Sequence, residues 1–178
     1  MKPILTLLLA ALTLGQMATP VRAQSEETAY LFTYFTRNGE DGLHLTWSRD
    51  GYNWEDLNEG RSYLTPKVGN SKLMRDPSVV RGPDGVYHMV WTSGWNENNI
   101  GYAWSRDMMN WSTQQEIPVM AHEPTVRNSW APEIDYDPKR GEFIIIWAST
   151  IPGRFPATAG LLGGGLQSPP VLHHHEGL

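Results

Sequence analysis

Residues 43–58 read LHLTWSRDGYNWEDLN, and residues 100–115 read IGYAWSRDMMNWSTQQ. Trp47-Ser48-Arg49-Asp50 returns as Trp104-Ser105-Arg106-Asp107, and Asn53-Trp54 returns as Asn110-Trp111, all displaced by 57 positions. A second series runs out of phase with the first. RGPDGVYHMVWTS at 81–93 resembles DPKRGEFIIIWAST at 137–150, with Gly85 and Gly141, and Trp91 and Trp147, each 56 positions apart. Two different stretches recurring with nearly one period mean that the repeating unit holds several secondary-structure elements.

Those elements read as strands. Tyr30 to Thr36, Val86 to Thr92 and Glu142 to Ala148 are short runs rich in β-branched and aromatic residues, bounded by Gly, Pro and Asp. Pro83-Asp84-Gly85 and Lys139-Arg140-Gly141 supply hairpin turns in which glycine takes positive φ at little cost. No long helical stripe follows residue 23. Sheets repeated at this spacing, with a tryptophan signature in each, predict an all-β propeller whose blades cover one another's apolar faces. Residues 30–58 make one blade, 77–119 the next, and 129–160 begin a third. A β-sandwich is the alternative that even strand spacing also allows, and the doubled WSRD argues against it.

Composition narrows the function. The 178 residues carry a formal charge of -5, so nothing general draws the chain to a phosphate backbone, and nucleic acid is not an expected partner. There is no cysteine, which excludes disulfides, thiolate metal sites and a cysteine nucleophile. The 8 Trp and 7 Tyr could fill cores or lie flat against sugar rings, so their spacing has to decide.

At the amino terminus, Lys2, an apolar run from Ile4 to Leu14 and the small-residue ending Val21-Arg22-Ala23 have the layout of a secretory signal. The run is short for a spanning helix, so cleavage after Ala23 and export to a secreted or periplasmic location are expected, with no membrane association afterwards. A transmembrane anchor is the alternative.

Residues 161–178, LLGGGLQSPPVLHHHEGL, break the pattern. Adjacent side chains at His173, His174 and His175 diverge on any backbone, so neither they nor Glu176 are expected to hold a metal. One permitted set of codons for this stretch, read one base on, encodes a segment ending Leu-Tyr-Tyr-Thr-Thr-Thr-Lys-Asp, which parallels IGYAWSRD. The expectation is a frameshift after Gly160 and a disordered, non-native tail over 161–178, which the gene sequence would test.

SKLMRDPSVVRGPDGVYHMVWT, IGYAWSRDMMNW and SWAPEIDYDPKRGEFIIIWAST, taken in this order, resemble glycoside hydrolase family 43 over about residues 30–160. The resemblance implies a five-bladed propeller, of which about two and a half blades are present, acting on arabinose- or xylose-containing plant-type polysaccharides or oligosaccharides. It also implies inversion: one carboxylate activates water while a protonated carboxyl opposite it protonates the leaving oxygen, the two roughly 6.5–9.5 Å apart. No cofactor is expected.

Asp76, in Arg75-Asp76-Pro77-Ser78, matches the family's base motif, the competing reading being a carboxylate that merely caps a turn before proline. Glu133, in Trp130-Ala131-Pro132-Glu133, opens the next inner strand and is an acid, a substrate ligand or a strand-start carboxylate. Arg75 and Trp130 are the substrate-binding candidates, through a sugar hydroxyl and a stacking platform respectively. Trp47, Trp54, Trp104 and Trp111 recur, which favours packing, while His88 and His122 read as structural and Asp41 as a second candidate base. The family's tuning Asp and, in many members, its acid Glu would fall beyond Gly160, so this chain is expected to be inactive.

Three rivals remain. Ser48-Arg49-Asp50-Gly51-Tyr52-Asn53-Trp54 approximates the Asp-box of sialidase-like propellers, although the second copy lacks the glycine and no arginine triad is evident. Arg-Asp-Pro also occurs in sucrose- and fructan-cleaving propellers, whose usual Asn-Asp-Pro is missing here. The third is a carbohydrate-binding propeller without turnover.

Overall fold

The computed structural model describes residues 28–154 and 170–174, the latter as backbone. The expected signal segment, and 161–169 and 175–178 of the expected tail, lie outside these residues. The described chain is all-β apart from one 3₁₀ turn at Leu57–Gly60. Its strands are β1 (Tyr30–Tyr34), β2 (His44–Ser48), β3 (Glu55–Asp56), β4 (Arg75–Arg81), β5 (Tyr87–Thr92), β6 (Ile100–Ser105), β7 (Gln115–Ile117), β8 (Trp130–Asp137), β9 (Glu142–Ala148) and β10 (Pro170–His174). They form three antiparallel sheets, ordered β1-β2-β3, β4-β5-β6-β7 and β8-β9-β10.

Strand register carries the repeat into three dimensions. Tyr30 pairs with Ser48 and Phe32 with Thr46 in the first sheet, while Tyr87 pairs with Ser105 and Met89 with Ala103 in the second. Each of these residues has its counterpart 57 positions on, so β1 corresponds to β5 and β2 to β6. The first sheet is therefore the outer part of a blade, and among the described residues no strand occupies on β1 the place that β4 occupies on β5. The second blade begins at Arg75, two residues ahead of the expected 77. In the third, β10 lies on β9 where β6 lies on β5.

The middle sheet is buried on both faces. Met89, Trp91 and Ala103 point into one core with Leu43, Leu45 and Met74, and Val90 and Tyr102 point into the other with Ile134, Ile145 and Trp147. Because successive residues of a strand face opposite ways, β5 reads as an almost continuous apolar run. A sandwich has one core between two sheets, whereas here three sheets enclose two, so each blade covers its neighbour.

The WSRD copies build the same turn twice. Asp50 Oδ1 accepts from the backbone N–H of Tyr52 at 2.9 Å and of Asn53 at 2.8 Å, the Asn53 amide donates to Asp50 Oδ2 at 2.7 Å, and Trp54 Nε1 donates to the Gly51 carbonyl at 3.1 Å. Asp107, Met109, Asn110, Met108 and Trp111 repeat this pattern bond for bond. The missing glycine does not prevent it: Met108 takes φ 63° where Gly51 takes 77°. A left-handed non-glycine residue costs on the order of 1 kcal/mol, offset here by the burial of the Met108 side chain in the core between the first two sheets. Of the four recurring tryptophans, Trp47 and Trp111 are half-buried. Trp54 and Trp104 stay 42% and 40% exposed, so recurrence marks turn and strand architecture more than core packing.

Candidate functional site

An open cavity of about 880 Å³ is lined by β1, β4, β8 and β9. From β4 it receives Asp76, Pro77 and Ser78, and from β8 it receives Ala131, Glu133 and Asp135. The alternation of β8 sets the latter three on the cavity side, while Pro132 and Ile134 turn into the protein. β4 is tied to β1 and to β8 across the two blade boundaries: Thr33 Oγ1 donates to the Pro77 carbonyl at 2.8 Å, and the Ile134 N–H donates to Ser78 Oγ at 3.2 Å.

Each inner strand begins with the same irregularity. The β4–β5 register shifts between Arg75 and Ser78, and the β8–β9 register shifts between Trp130 and Glu133. Within each bulge the residue before proline has positive φ, 51° at Asp76 and 45° at Ala131. Non-glycine residues visit this region rarely and a residue before proline is normally extended, so both positions are strained by roughly 1–3 kcal/mol. The bulge re-aims the side chain that follows the first strand residue, which brings the Asp76 carboxylate onto the cavity. Asp76 Oδ2 accepts a 2.9 Å hydrogen bond from Thr92 Oγ1.

Beside the cavity, Arg75 is held flat between two aromatic faces, its guanidinium carbon 4.8 Å from the Phe35 ring centre and 4.4 Å from the Trp95 ring. Its Nη1 and the Trp95 indole both donate to Asn38 Oδ1, at 3.1 and 3.0 Å. Trp130 packs edge-on to Trp95, ring centres 5.6 Å apart, and donates its indole N–H to the Trp95 carbonyl at 3.0 Å. Trp95 is 44% exposed. The structure thus draws Arg75, Asp76, Trp130 and Glu133 to neighbouring strand starts, Asp76 and Glu133 on the cavity and Arg75 and Trp130 in the aromatic cluster beside it.

Asp41 lies elsewhere. It bonds His44 Nε2 at 2.9 Å and accepts from Thr36 Oγ1 at 3.0 Å, outside the cavity lining. Burial works to raise its carboxyl, but the bonds from Thr36 and His44 together hold it below the usual carboxylate range. His88 is buried against Phe143, with ring centres 4.4 Å apart and Nδ1 2.8 Å from the Tyr102 hydroxyl, and burial lowers its pKa. Among the described residues no group of three His, Asp or Glu is placed to hold a metal ion.

Sequence reading missed Asp135, Phe35, Asn38, Trp95 and Thr92. Asp135 could have been found, since Glu133 and Asp135 are two apart on one strand. The others meet the site only through contacts made by folding.

Successive sheets that cover one another and share a cavity define part of a β-propeller. Residues 26–154 match the family described as "Probable glycosyl hydrolase domain", which is related to glycoside hydrolase family 43, and the chain belongs to that family. A solved family 43 β-1,3-galactosidase is similar in fold, with a TM-score of 0.52 and 17% identity over 71% of this chain. The chain spans 28% of that enzyme's length. Two further solved structures have lower TM-scores: a thermostable family 43 glycoside hydrolase (0.38, 12% identity, 68% of this chain and 44% of that one) and a second β-1,3-galactosidase, with galactodeoxynojirimycin (0.34, 18% identity, 67% and 36%). No curated protein sequence matches the chain.

Proposed function

We propose that the hub cavity is the substrate site of an exported, inverting glycosidase acting on arabinose- or xylose-containing plant-type glycans. Asp76 is the base, and Glu133 lines the same cavity as acid or substrate ligand. The observation that carries this reading is that the two carboxylates, 57 residues apart in the chain, come from neighbouring inner strands onto one open cavity. An inverting hydrolase needs two carboxyl groups on opposite sides of the scissile bond, one taking a proton from water and the other giving one to the leaving oxygen. Asp76 suits the first role, since the bulge brings its carboxylate onto the cavity and Thr92 holds one of its oxygens. Glu133 is exposed on the cavity wall, where a leaving group could reach it.

Trp130 and Trp95 offer indole faces to a sugar ring, and Arg75, pinned between Phe35 and Trp95, presents hydrogen-bond donors to its hydroxyls. The fold likeness to a β-1,3-galactosidase makes β-1,3-linked galactose the second substrate class. Export is supported by Lys2, the apolar run Ile4 to Leu14 and Ala23.

The test is hydrolysis of an arabinoside, a xyloside and a β-1,3-galactoside by the full chain, with the anomer first released read by proton NMR. Asp76→Asn should lower turnover roughly 10²–10⁴-fold, the usual contribution of a general base. An unchanged rate in that variant overturns the assignment of Asp76, and glycan retention without turnover by the unaltered chain favours the binding module.

A further inference from the structure

We infer that Thr92 is a positioning residue for Asp76: its hydroxyl relays the backbone of β8 to the carboxylate on β4 and fixes where that carboxylate points. The inference rests on reading Asp76 as the base, and it assigns a role to a residue buried behind the cavity wall.

Thr92 Oγ1 stands between two partners. It accepts from the Ala131 N–H at 2.8 Å and donates to Asp76 Oδ2 at 2.9 Å. A hydroxyl has a single proton, so once the amide occupies one of its lone pairs the proton is directed at the carboxylate. Both partners sit at the strained positive-φ positions of the two bulges, and Thr92 itself is 2% exposed. The strain at Ala131 aims an N–H that would otherwise belong to the ladder, and Thr92 is where it is satisfied.

The blade does not require this hydroxyl. Thr92 stands opposite Arg75 in the β4–β5 ladder, the residue opposite Trp130 in the β8–β9 ladder is Ala148, and the residue 57 positions before Thr92 is Phe35. Neither of those can donate to a carboxylate. Of the two ladder positions opposite these bulges, only the one beside the acid carries a hydroxyl, and that hydroxyl also takes the Ala131 N–H of the other bulge. A residue kept for packing alone would follow the repeat, and Thr92 departs from it where Asp76 departs from Ala131.

The charged groups around Asp76 are Glu133 and Asp135 on β8 and Arg75 beside it on β4, and substitution of Thr92 changes none of them. The experiment is the ¹³C chemical shift of the Asp76 carboxyl in the full chain at fixed neutral pH, which needs no turnover and is independent of whether a glycan is cleaved. Thr92→Val, equal in shape but without a donor, should move that resonance because Oδ2 loses its hydrogen bond. Thr92→Ser, which keeps the donor, should hold it at the parent position. Thr92→Ala is the second hydroxyl-free variant should valine not fold, and should move the resonance as well. A resonance unmoved in the hydroxyl-free variant, or one that moves in serine as it does there, overturns the inference. Loss of glycosidase activity in Asp76→Asn alongside an unmoved Thr92→Val resonance would leave the base assignment standing and remove Thr92 from it.

Discussion

Asp107 accepts from two backbone N–H groups and from the Asn110 side-chain amide, and Asp50 does the same one repeat earlier. For each, the backbone bond from the asparagine three residues on is the largest cause holding the carboxyl far below the ordinary range. A carboxyl with a depressed folded-state pKa stabilises the fold fully above its unfolded pKa near 3.9, and that stabilisation fades as pH falls toward the folded value. Asp107→Ala should therefore melt a few degrees below the parent chain at pH 7, with the gap closing between about pH 4 and pH 2 in thermal scans. Both carboxylates are solvent-facing, so the effect is one of turn geometry. This turn was legible in the sequence because every partner lies within a few residues. Thr92 was not, since its two partners are 16 and 39 positions away and nothing in Val90-Trp91-Thr92 distinguishes it from any strand threonine.

At the scale of the strand pair, Trp91 lies across Gly101. A Cβ built on Gly101 would come within 2.0 Å of the indole, so the ring occupies the space of the missing side chain. The equivalent ladder position in the first sheet pairs Tyr34 with His44, whose rings sit 5.1 Å apart. The two blades thus fill one site by different division of volume, a large ring over nothing or two medium rings side by side. Gly101→Ala should destabilise the protein by roughly 1–3 kcal/mol through overpacking, measured by urea unfolding, and adding Trp91→Tyr should recover part of that loss. Strand identity and the covering of sheet 2 on both faces were legible from apolar runs and Trp spacing. That β1 is the counterpart of β5 rather than of β4 was also within reach, because Tyr30 precedes Asp50 by the same interval as Tyr87 precedes Asp107. The bulges were not legible, since Asp-Pro and Ala-Pro suit many turns and only the ladder shift reveals their shared geometry.

Across the whole molecule, the pairing groups on the free edge of β1 are covered by no described strand, and Tyr30, Leu31 and Phe32 are 52%, 47% and 57% exposed beside them. An uncovered apolar edge is a template for another chain. The full chain should associate as concentration rises in sedimentation velocity, and Leu31→Lys should shift it toward the monomer, because a charged side chain on an edge opposes pairing. The same arrangement leaves one wall of the cavity to the edge of β1, where Phe32, Thr33 and Tyr34 line it.

The two proline-preceded kinks at Asp76 and Ala131 carry a wider meaning. They are matching sockets: each is a positive-φ residue before proline at a ladder shift, filled by an acid in one and by alanine in the other. Chemistry on this scaffold is therefore modular at the level of single codons, since an acid can be withdrawn from one socket or installed in another while the ladders around it stay as they are. Divergence among such proteins can proceed by exchanging fittings on a frame already strained to receive them.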